Sequence, residues 1–280
     1  MKLHWQLSVL LFIGACAAAR ASDSHAAAIP SLGAIPLGYT LPAVVRVAGL
    51  PSTVLTTDVG HVFTWSNPRT GKMRLTFDDD GVVRMIDDLP THDSAPKFTV
   101  PTDPPQVVAF GELSEDQSDV KFSSLADFSG VGKFPDTGAE AAFRAYKLSA
   151  ATELILLFDH ERILREAILG QRASLARSGL LPGAPEANGP QYSAPILTHQ
   201  GSSDYPRTAR EGDAILRIAV DKKGAVDKVM IVVSSGDPSL DNAAVAAAKE
   251  DVFTPARVDN IPVSAFVFHK EEFRILPSAH

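Results

Sequence analysis

Ala214-Ile215-Leu216-Arg217-Ile218-Ala219-Val220-Asp221, Lys222-Lys223-Gly224-Ala225, Val226-Asp227-Lys228-Val229-Met230-Ile231-Val232-Val233 reads as two β-rich runs joined by a short link that carries glycine. A tight hairpin needs φ > 0 in its turn, and Gly224 provides it. Ser234-Ser235-Gly236-Asp237-Pro238-Ser239-Leu240-Asp241 follows and leads into an Ala-rich run over 242–250. After Phe253-Thr254-Pro255-Ala256 comes a last β-rich run over 262–268. Upstream, Tyr205-Pro206 opens a short basic, helix-like run, Arg207-Thr208-Ala209-Arg210, with Tyr205 as an aromatic anchor beside a helix-starting proline. Residues 205–275 therefore predict a small α+β unit of helix, hairpin, helix and strand.

Six spaced features of this stretch, in order, resemble the C-terminal domain of TonB-type energy transducers. They are Tyr205-Pro206 with Ala209; Val220-Asp221 with Gly224 and Val226; Ser234-Ser235-Gly236; Leu240-Asp241 with Ala243-Ala244; Phe253 with Pro255-Ala256; and Pro262-Val263. Three positions depart from the family's pattern. Ala214 stands for a Gly before the first strand, Asp251 for an aromatic at the end of the second helix, and Asn260 for a turn Gly. The resemblance implies a domain that captures an extended peptide of an outer-membrane transporter by adding it to a sheet edge. Unpaired N–H and C=O groups along such an edge give affinity with little demand on the peptide's sequence. The candidate edge is the last strand, with Val263, Ala265, Phe266, Val267 and Phe268. Phe266 and Phe268 are expected to face the helices, leaving Val263, Ala265 and Val267 on the other side.

The remaining family positions read as structural. Ser234-Ser235-Gly236 makes a polar turn into a helix that Asp241 helps to start. Phe253 turns into the core after Pro255 has barred further helix, and Leu240 lies on the helix.

The whole chain has 280 residues, 45% of them hydrophobic, which is room for two or three small domains. Its formal charge of −7 argues against nucleic acid as a partner. Residues 1–21 read as a secretory signal, with Lys2 in the n-region, an apolar run over 7–19, and small residues at the cleavage positions of Ala19-Arg20-Ala21. The single cysteine, Cys16, lies in Ile13-Gly14-Ala15-Cys16, which resembles a bacterial lipoprotein box. Cleavage after Ala21 leaves a soluble periplasmic protein; lipidation at Cys16 tethers it to a membrane. Either route leaves the folded part without a disulfide, so packing must hold it.

Residues 22–36 read as a flexible lead-in. Residues 37–92 form a first unit: 41–48 as a short helix or buried strand, then β-like runs at 52–57, 61–66, 72–78 and 82–86 between Gly, Asp and Asn turns. The pattern returns over 93–177. Phe63-Thr64-Trp65 corresponds to Phe143-Arg144-Ala145, Arg74-Leu75-Thr76-Phe77-Asp78 to Ile155-Leu156-Leu157-Phe158-Asp159, and Val82-Val83-Arg84 to Ile163-Leu164-Arg165. This is an internal duplication of a small helix-plus-β-meander unit. Six Gly and Pro residues between Ser178 and Gln191 then mark 178–199 as a linker before the C-terminal domain, 200–280.

No constellation for catalysis stands out, and no cofactor is implied. Asp78-Asp79-Asp80-Gly81 lacks the alternate ligands and terminal Glu of a calcium loop and reads as a solvated turn. The eight histidines are scattered, with no zinc-binding spacing. Ser234-Ser235-Gly236 lacks the Gly of a nucleophile elbow. The expectation is a non-enzymatic periplasmic binding protein whose partner is an outer-membrane transporter. The alternative is an envelope adaptor or assembly lipoprotein that uses the same edge without energy coupling.

Overall fold

A computed structural model describes residues 31–91, 97–100, 105–134, 136–181, 190–202, 206 and 210–275. The signal segment with Cys16, Tyr205, and most of the basic run after it lie outside the described residues.

In chain order the N-terminal part contains β1 (Ser31–Leu32), β2 (Ile35–Pro36), α1 (Leu41–Ala48), β3 (Thr53–Thr57), β4 (Gly60–Asn67), β5 (Gly71–Phe77) and β6 (Val83–Pro90). Then come β7 (Lys97–Val100), β8 (Gln106–Ala109), α2 (Glu115–Lys121), β9 (Ala126–Lys133), β10 (Glu140–Lys147), β11 (Thr152–Phe158), β12 (Leu164–Gln171) and α3 (Arg172–Arg177). The two meanders share the hydrogen bonding of one turn. Asp78 Oδ1 accepts from the N–H groups of Asp80 and Val82, and Oδ2 from Arg84 Nε. Asp159 repeats this with Glu161, Ile163 and Arg165. An aspartate with an arginine six residues on closes both turns, because it satisfies two turn donors and one guanidinium at once.

The two meanders are not separate units, as the sequence suggests. They share one antiparallel sheet of order β3-β4-β5-β6-β12-β11-β10-β9. Each meander's last strand would otherwise expose an apolar edge, and pairing β6 with β12 (Ile86 opposite Leu169) closes both. The central strand β11 is buried on both faces, so Leu154-Ile155-Leu156-Leu157-Phe158 shows no alternation. On one face Phe63, Leu75, Phe77, Ile86 and Phe158 pack under α1 with Leu41 and Val44. On the other, Phe143, Ile155, Leu157 and Ile168 pack on Leu175 of α3. The expected lead-in also needs correction near its end: β1 and β2 pair, and Leu32 and Ile35 are buried, since apolar side chains this close to the core gain more by burial than by freedom.

One polar cluster sits inside the sheet. Arg74 binds Asp87 and Asp136, and its Nη2 reaches Glu166 Oε1 at 3.3 Å. Burial beside Asp87 pushes the Glu166 carboxyl up to about 10. Asp87 Oδ1 and Glu166 Oε2 have no other partner, and one proton held between the two carboxyl groups satisfies both. The folded chain thus keeps a proton that the unfolded chain releases near an ordinary glutamate value of about 4.3. Unfolding above that pH releases a proton, so stability falls as pH rises toward the folded value, by up to about 1.4 kcal/mol per pH unit. Glu166→Gln should flatten that slope between about pH 5 and 9 in urea denaturation; parallel slopes for the two proteins would show that Glu166 is ionised when folded.

The C-terminal part contains β13 (Tyr192–Ser193), β14 (Ile196–His199), β15 (Gly212–Val220), β16 (Val226–Val233), α4 (Pro238–Ala248), β17 (Val252–Thr254), β18 (Ala256–Val258), β19 (Ile261–Val263) and β20 (Ala265–Phe273). The architecture is α+β throughout. The hairpin, second helix and last strand are present, while the expected first helix falls largely outside the described residues. Asp221 Oδ1 caps the hairpin turn by accepting from Lys223 and Ala225. Gly224 has φ +87°, and a Cβ there would lie 1.8 Å from the Phe253 carbonyl oxygen, so only glycine fits. Asp237 caps α4, and its Ala-rich face brings Leu240, Ala244 and Ala248 onto Leu216 and Ile218 of β15.

Two further expectations change. The linker at 178–199 contains structure, because β13 pairs with β18 and β14 with β17. The last strand is not one run over 262–268. Asp259 and Asn260 adopt φ +50° and +65° and close a hairpin between β18 and β19; the chain then breaks at Ser264, and β20 runs on to Phe273.

Candidate functional site

The three C-terminal strands are ordered β16-β15-β20, which puts β20 outermost. Alternation along β20 sends its residues to two different cores. Val267, opposite Ile218, packs under α4 with Leu216, Phe253 and Phe273. Phe268, opposite Arg217, enters the N-terminal core. The expected faces are therefore reversed: Val267 meets the helix, and Phe266 and Phe268 turn away from it. The reason is that a second core exists. The N-terminal sheet offers Phe268 a deeper apolar site than α4 can, and Phe268 is 5% exposed. Its ring meets His61 at 4.8 Å and Phe63 at 5.5 Å, both edge-on. Phe266 lies under the Arg217 guanidinium, 3.8 Å from its ring centre. Ala265 begins the strand, and Val263 belongs to β19.

The Phe268 N–H points away from β15 and donates to Thr56 Oγ1 of β3 at 3.4 Å. Successive N–H groups alternate, so those of residues 266, 268, 270 and 272 define the outer edge, and that of Val267 belongs to the β15 ladder. Thr56 Oγ1 also meets His61 Nδ1 at 3.0 Å, and His61 Nε2 meets Asp79 Oδ1 at 2.9 Å. The ring thus bridges the Thr56 hydroxyl and the Asp79 carboxylate, and the Thr56 oxygen keeps a lone pair for the Phe268 N–H. The bond from His61 holds the Asp79 carboxyl below its ordinary value. The acidic triplet is thus fully engaged within the chain: Asp78 with Arg84, Asp79 with His61, Asp80 with Arg217 at 3.5 Å.

Beside this edge runs an apolar groove of about 300 Å³, lined by Leu55, Thr56, Pro195, Ile196, Phe253 and His269 among others. Leu55 and Ile196 are more than 60% exposed on its rim. Phe253→Ala should cost about 3 kcal/mol, the lower end for a buried ring, because Phe253 sits at the groove's floor rather than in the deepest core. A denaturation midpoint moved no further than by a surface substitution would place the ring in solvent.

The other family positions build the support. Asp241 accepts from the Ser234 and Ser235 hydroxyls and from the Ser235 N–H, and the Gly236 N–H donates to Ser234 Oγ. Leu240 is wholly buried on α4, and Pro255 packs near the Gly224 turn. Asp251, standing for an aromatic, is buried and accepts from the Gly201 N–H at 2.8 Å; burial raises its carboxyl. Sequence reading missed Thr56, His61, Asp79 and Arg217 as neighbours of the edge. Nothing local signals them, since Thr56 and Phe268 are 212 residues apart. Among the described residues no cluster of His, Cys, Asp and Glu could hold a metal, and no helix is long and apolar enough to cross a membrane.

Residues 202–274 match the family described as Gram-negative bacterial TonB protein C-terminal. No curated protein matches the chain. Among solved structures, a cysteine-rich secretory protein from Staphylococcus aureus subsp. aureus Mu50 aligns over 50% of this chain at 10% identity, with a TM-score of 0.34; this chain spans 44% of that protein. A DUF4309 family protein from Bacillus subtilis subsp. subtilis str. 168 aligns over 48% of this chain and 78% of its own, at 13% identity and a TM-score of 0.33.

Proposed function

We propose that the TonB-like C-terminal unit captures an extended peptide of an outer-membrane transporter, or of another envelope protein, by strand addition along the outer edge of β20. It does so in the periplasm of a Gram-negative-type cell and in support of transport across the outer membrane. The observation that carries this reading is the position of β20: it ends a three-stranded antiparallel sheet, within the family match, with a row of backbone groups turned away from β15. The groove along Leu55, Ile196 and His269 supplies apolar contact for alternate side chains of an added strand. Such a strand takes over the contact that Thr56 makes with Phe268, so capture involves local parting of β3 from β20.

A second reading is favoured by one observation. Phe268, Ile215, Val232 and Val233 pack into the N-terminal core, so the C-terminal unit is fastened to a large sheet rather than carried on a free tether. A protein built this way acts as an adaptor or assembly factor that holds a partner in place, without energy coupling. Titration of the protein with synthetic peptides from the periplasmic N-termini of outer-membrane transporters, followed by backbone amide NMR, tests capture. Shifts confined to β20 and the groove are expected. Shifts elsewhere, or none at millimolar peptide, would sink the strand-addition reading.

A further inference from the structure

An acid sits where the sheet face beneath α1 is otherwise apolar. Phe63, Leu75, Ile86 and Leu169 lie opposite one another across β4, β5, β6 and β12 and fill the core there. Two residues along each strand, the next row on the same face is Trp65, Met73, Asp88 and Ala167. Alternation parts Asp88 from Asp87, which joins Arg74 on the opposite face. The Asp88 side chain is half-buried, and among the described residues no hydrogen bond or ion pair reaches it. Burial, and after it the Asp87 charge, push its carboxyl up to about 6. At neutral pH the fold therefore holds an ionised carboxylate without a counter-charge, which is costly unless something pairs with it.

Asp88 lines a cleft of about 440 Å³ together with Ala48, Leu50, Trp65 and Met73. Trp65 is fixed there: its Nε1 donates to the Gly49 carbonyl at 3.0 Å, and its ring stacks on Phe63 at 6.4 Å. Ala48 ends α1, and the C-terminal end of a helix carries partial negative charge. The basic side chains of these elements do not neutralise the site. Lys72 turns to the other face, where Asp136 holds it at 2.6 Å, and Arg46 bends back along α1 to the Pro42 carbonyl at 3.4 Å.

We propose that this cleft binds an alkylammonium group, with the ammonium on the Asp88 carboxylate and the alkyl stem against Trp65 and Met73. A bare metal ion does not suit it, because one carboxylate among apolar walls supplies too few oxygen ligands. An ammonium brings three donors for the carboxylate and is attracted to an indole face. The thioether of Met73 adapts to the stem. Volumes of about 300–1,000 Å³ are usual for small-ligand sites, and this cleft falls within them. A primary amine reaches such a site either as a free small molecule or as the lysine side chain of another protein, with the same chemistry at Asp88. The cleft shares no lining residue with the groove beside β20, so it stands or falls independently of peptide capture there.

Titration of the processed protein with pentylammonium chloride tests it. Removal of the signal segment by either route takes Trp5 away, so Trp65 is the only tryptophan left and its emission reports the cleft. A saturable change with a Kd of about 1–10 mM is expected for so small a ligand. Pentanol, its neutral counterpart, should bind at least about tenfold more weakly. Asp88→Asn should weaken pentylammonium binding at least about tenfold, the loss of one charge-assisted hydrogen bond. Its urea midpoint should hold or rise, because an unpaired charge has gone. Nα-acetyl-lysine N-methylamide separates the two sources: affinity at or above that of pentylammonium assigns the cleft to a lysine side chain, and weaker binding assigns it to a free amine. No saturable change by about 100 mM pentylammonium, equal binding of pentanol, or an Asp88→Asn protein that binds like the parent would overturn the proposal. So would a fall in the Asp88→Asn midpoint, since the fold itself would then be using the charge.

Discussion

Phe268→Ala is expected to cost about 3–5 kcal/mol, the range for deleting a fully buried ring. It should also do more than an ordinary core truncation. The ring is one apolar tie between two sheets, beside Ile215, Val232 and Val233: the backbone of Phe268 belongs to β20, while its side chain contacts His61 and Phe63 of β4 and lies over Gly81. Removing it leaves a cavity in the N-terminal core and also loosens the Thr56 contact beside it. Hydrogen exchange should rise first at outer-edge amides of β20, with the β15 ladder still protected. Urea denaturation gives the total, and a loss below about 1 kcal/mol would show that the two sheets hold together without this ring.

Proline substitution separates the two edges of β20 sharply. Val267→Pro removes an N–H that belongs to the β15 ladder and disturbs the side chain beneath α4, so the C-terminal unit should unfold. Phe266→Pro removes an outward N–H and the ring under Arg217, neither of which the sheet needs. That variant should keep its fold and lose peptide capture. Amide spectra report folding and titration reports binding. A folded Phe266→Pro protein that binds peptide as tightly as the parent would exclude this edge from recognition, and a folded Val267→Pro protein would mean that the ladder runs the other way.

The parts of this architecture that could be read beforehand are those governed by neighbours in sequence. The hairpin follows from Gly224 and its capping Asp221, the start of α4 from Asp237-Pro238 with Asp241, and the two meanders from their Gly and Asp turns. The repeated Asp–Arg turns at Asp78 and Asp159 were legible because each motif lies within six residues. What escaped was the joining of parts. A strand's alternation gives two faces but does not say which core each face meets, so Phe268 was assigned to the nearer helix. The β6–β12 pairing left no local trace, because Val83, Met85, Ile86 and Leu89 mixed with Arg84, Asp87 and Asp88 suit a strand that ends a sheet as well as one that continues it. The candidate edge was found by family likeness, whereas its neighbours Thr56 and His61 come from a segment with no resemblance to that family.

The β6–β12 pairing also governs the order in which the protein can mature. Each meander is made of adjacent hairpins and can form quickly from local contacts, but the seam between them needs residues about 80 positions apart. A chain that emerges N-terminus first completes its first meander well before β12 exists. During that interval Val83 and Ile86 border an open strand, which is the condition under which nascent chains associate wrongly. A chain ending at residue 147 would be held in that state permanently. It should collect in aggregates that thioflavin T detects, and to a greater extent than a chain ending at residue 181, in which the β6–β12 seam has closed. The open side of β6 is thus covered only when β12, about 80 residues later in the same polypeptide, has been made.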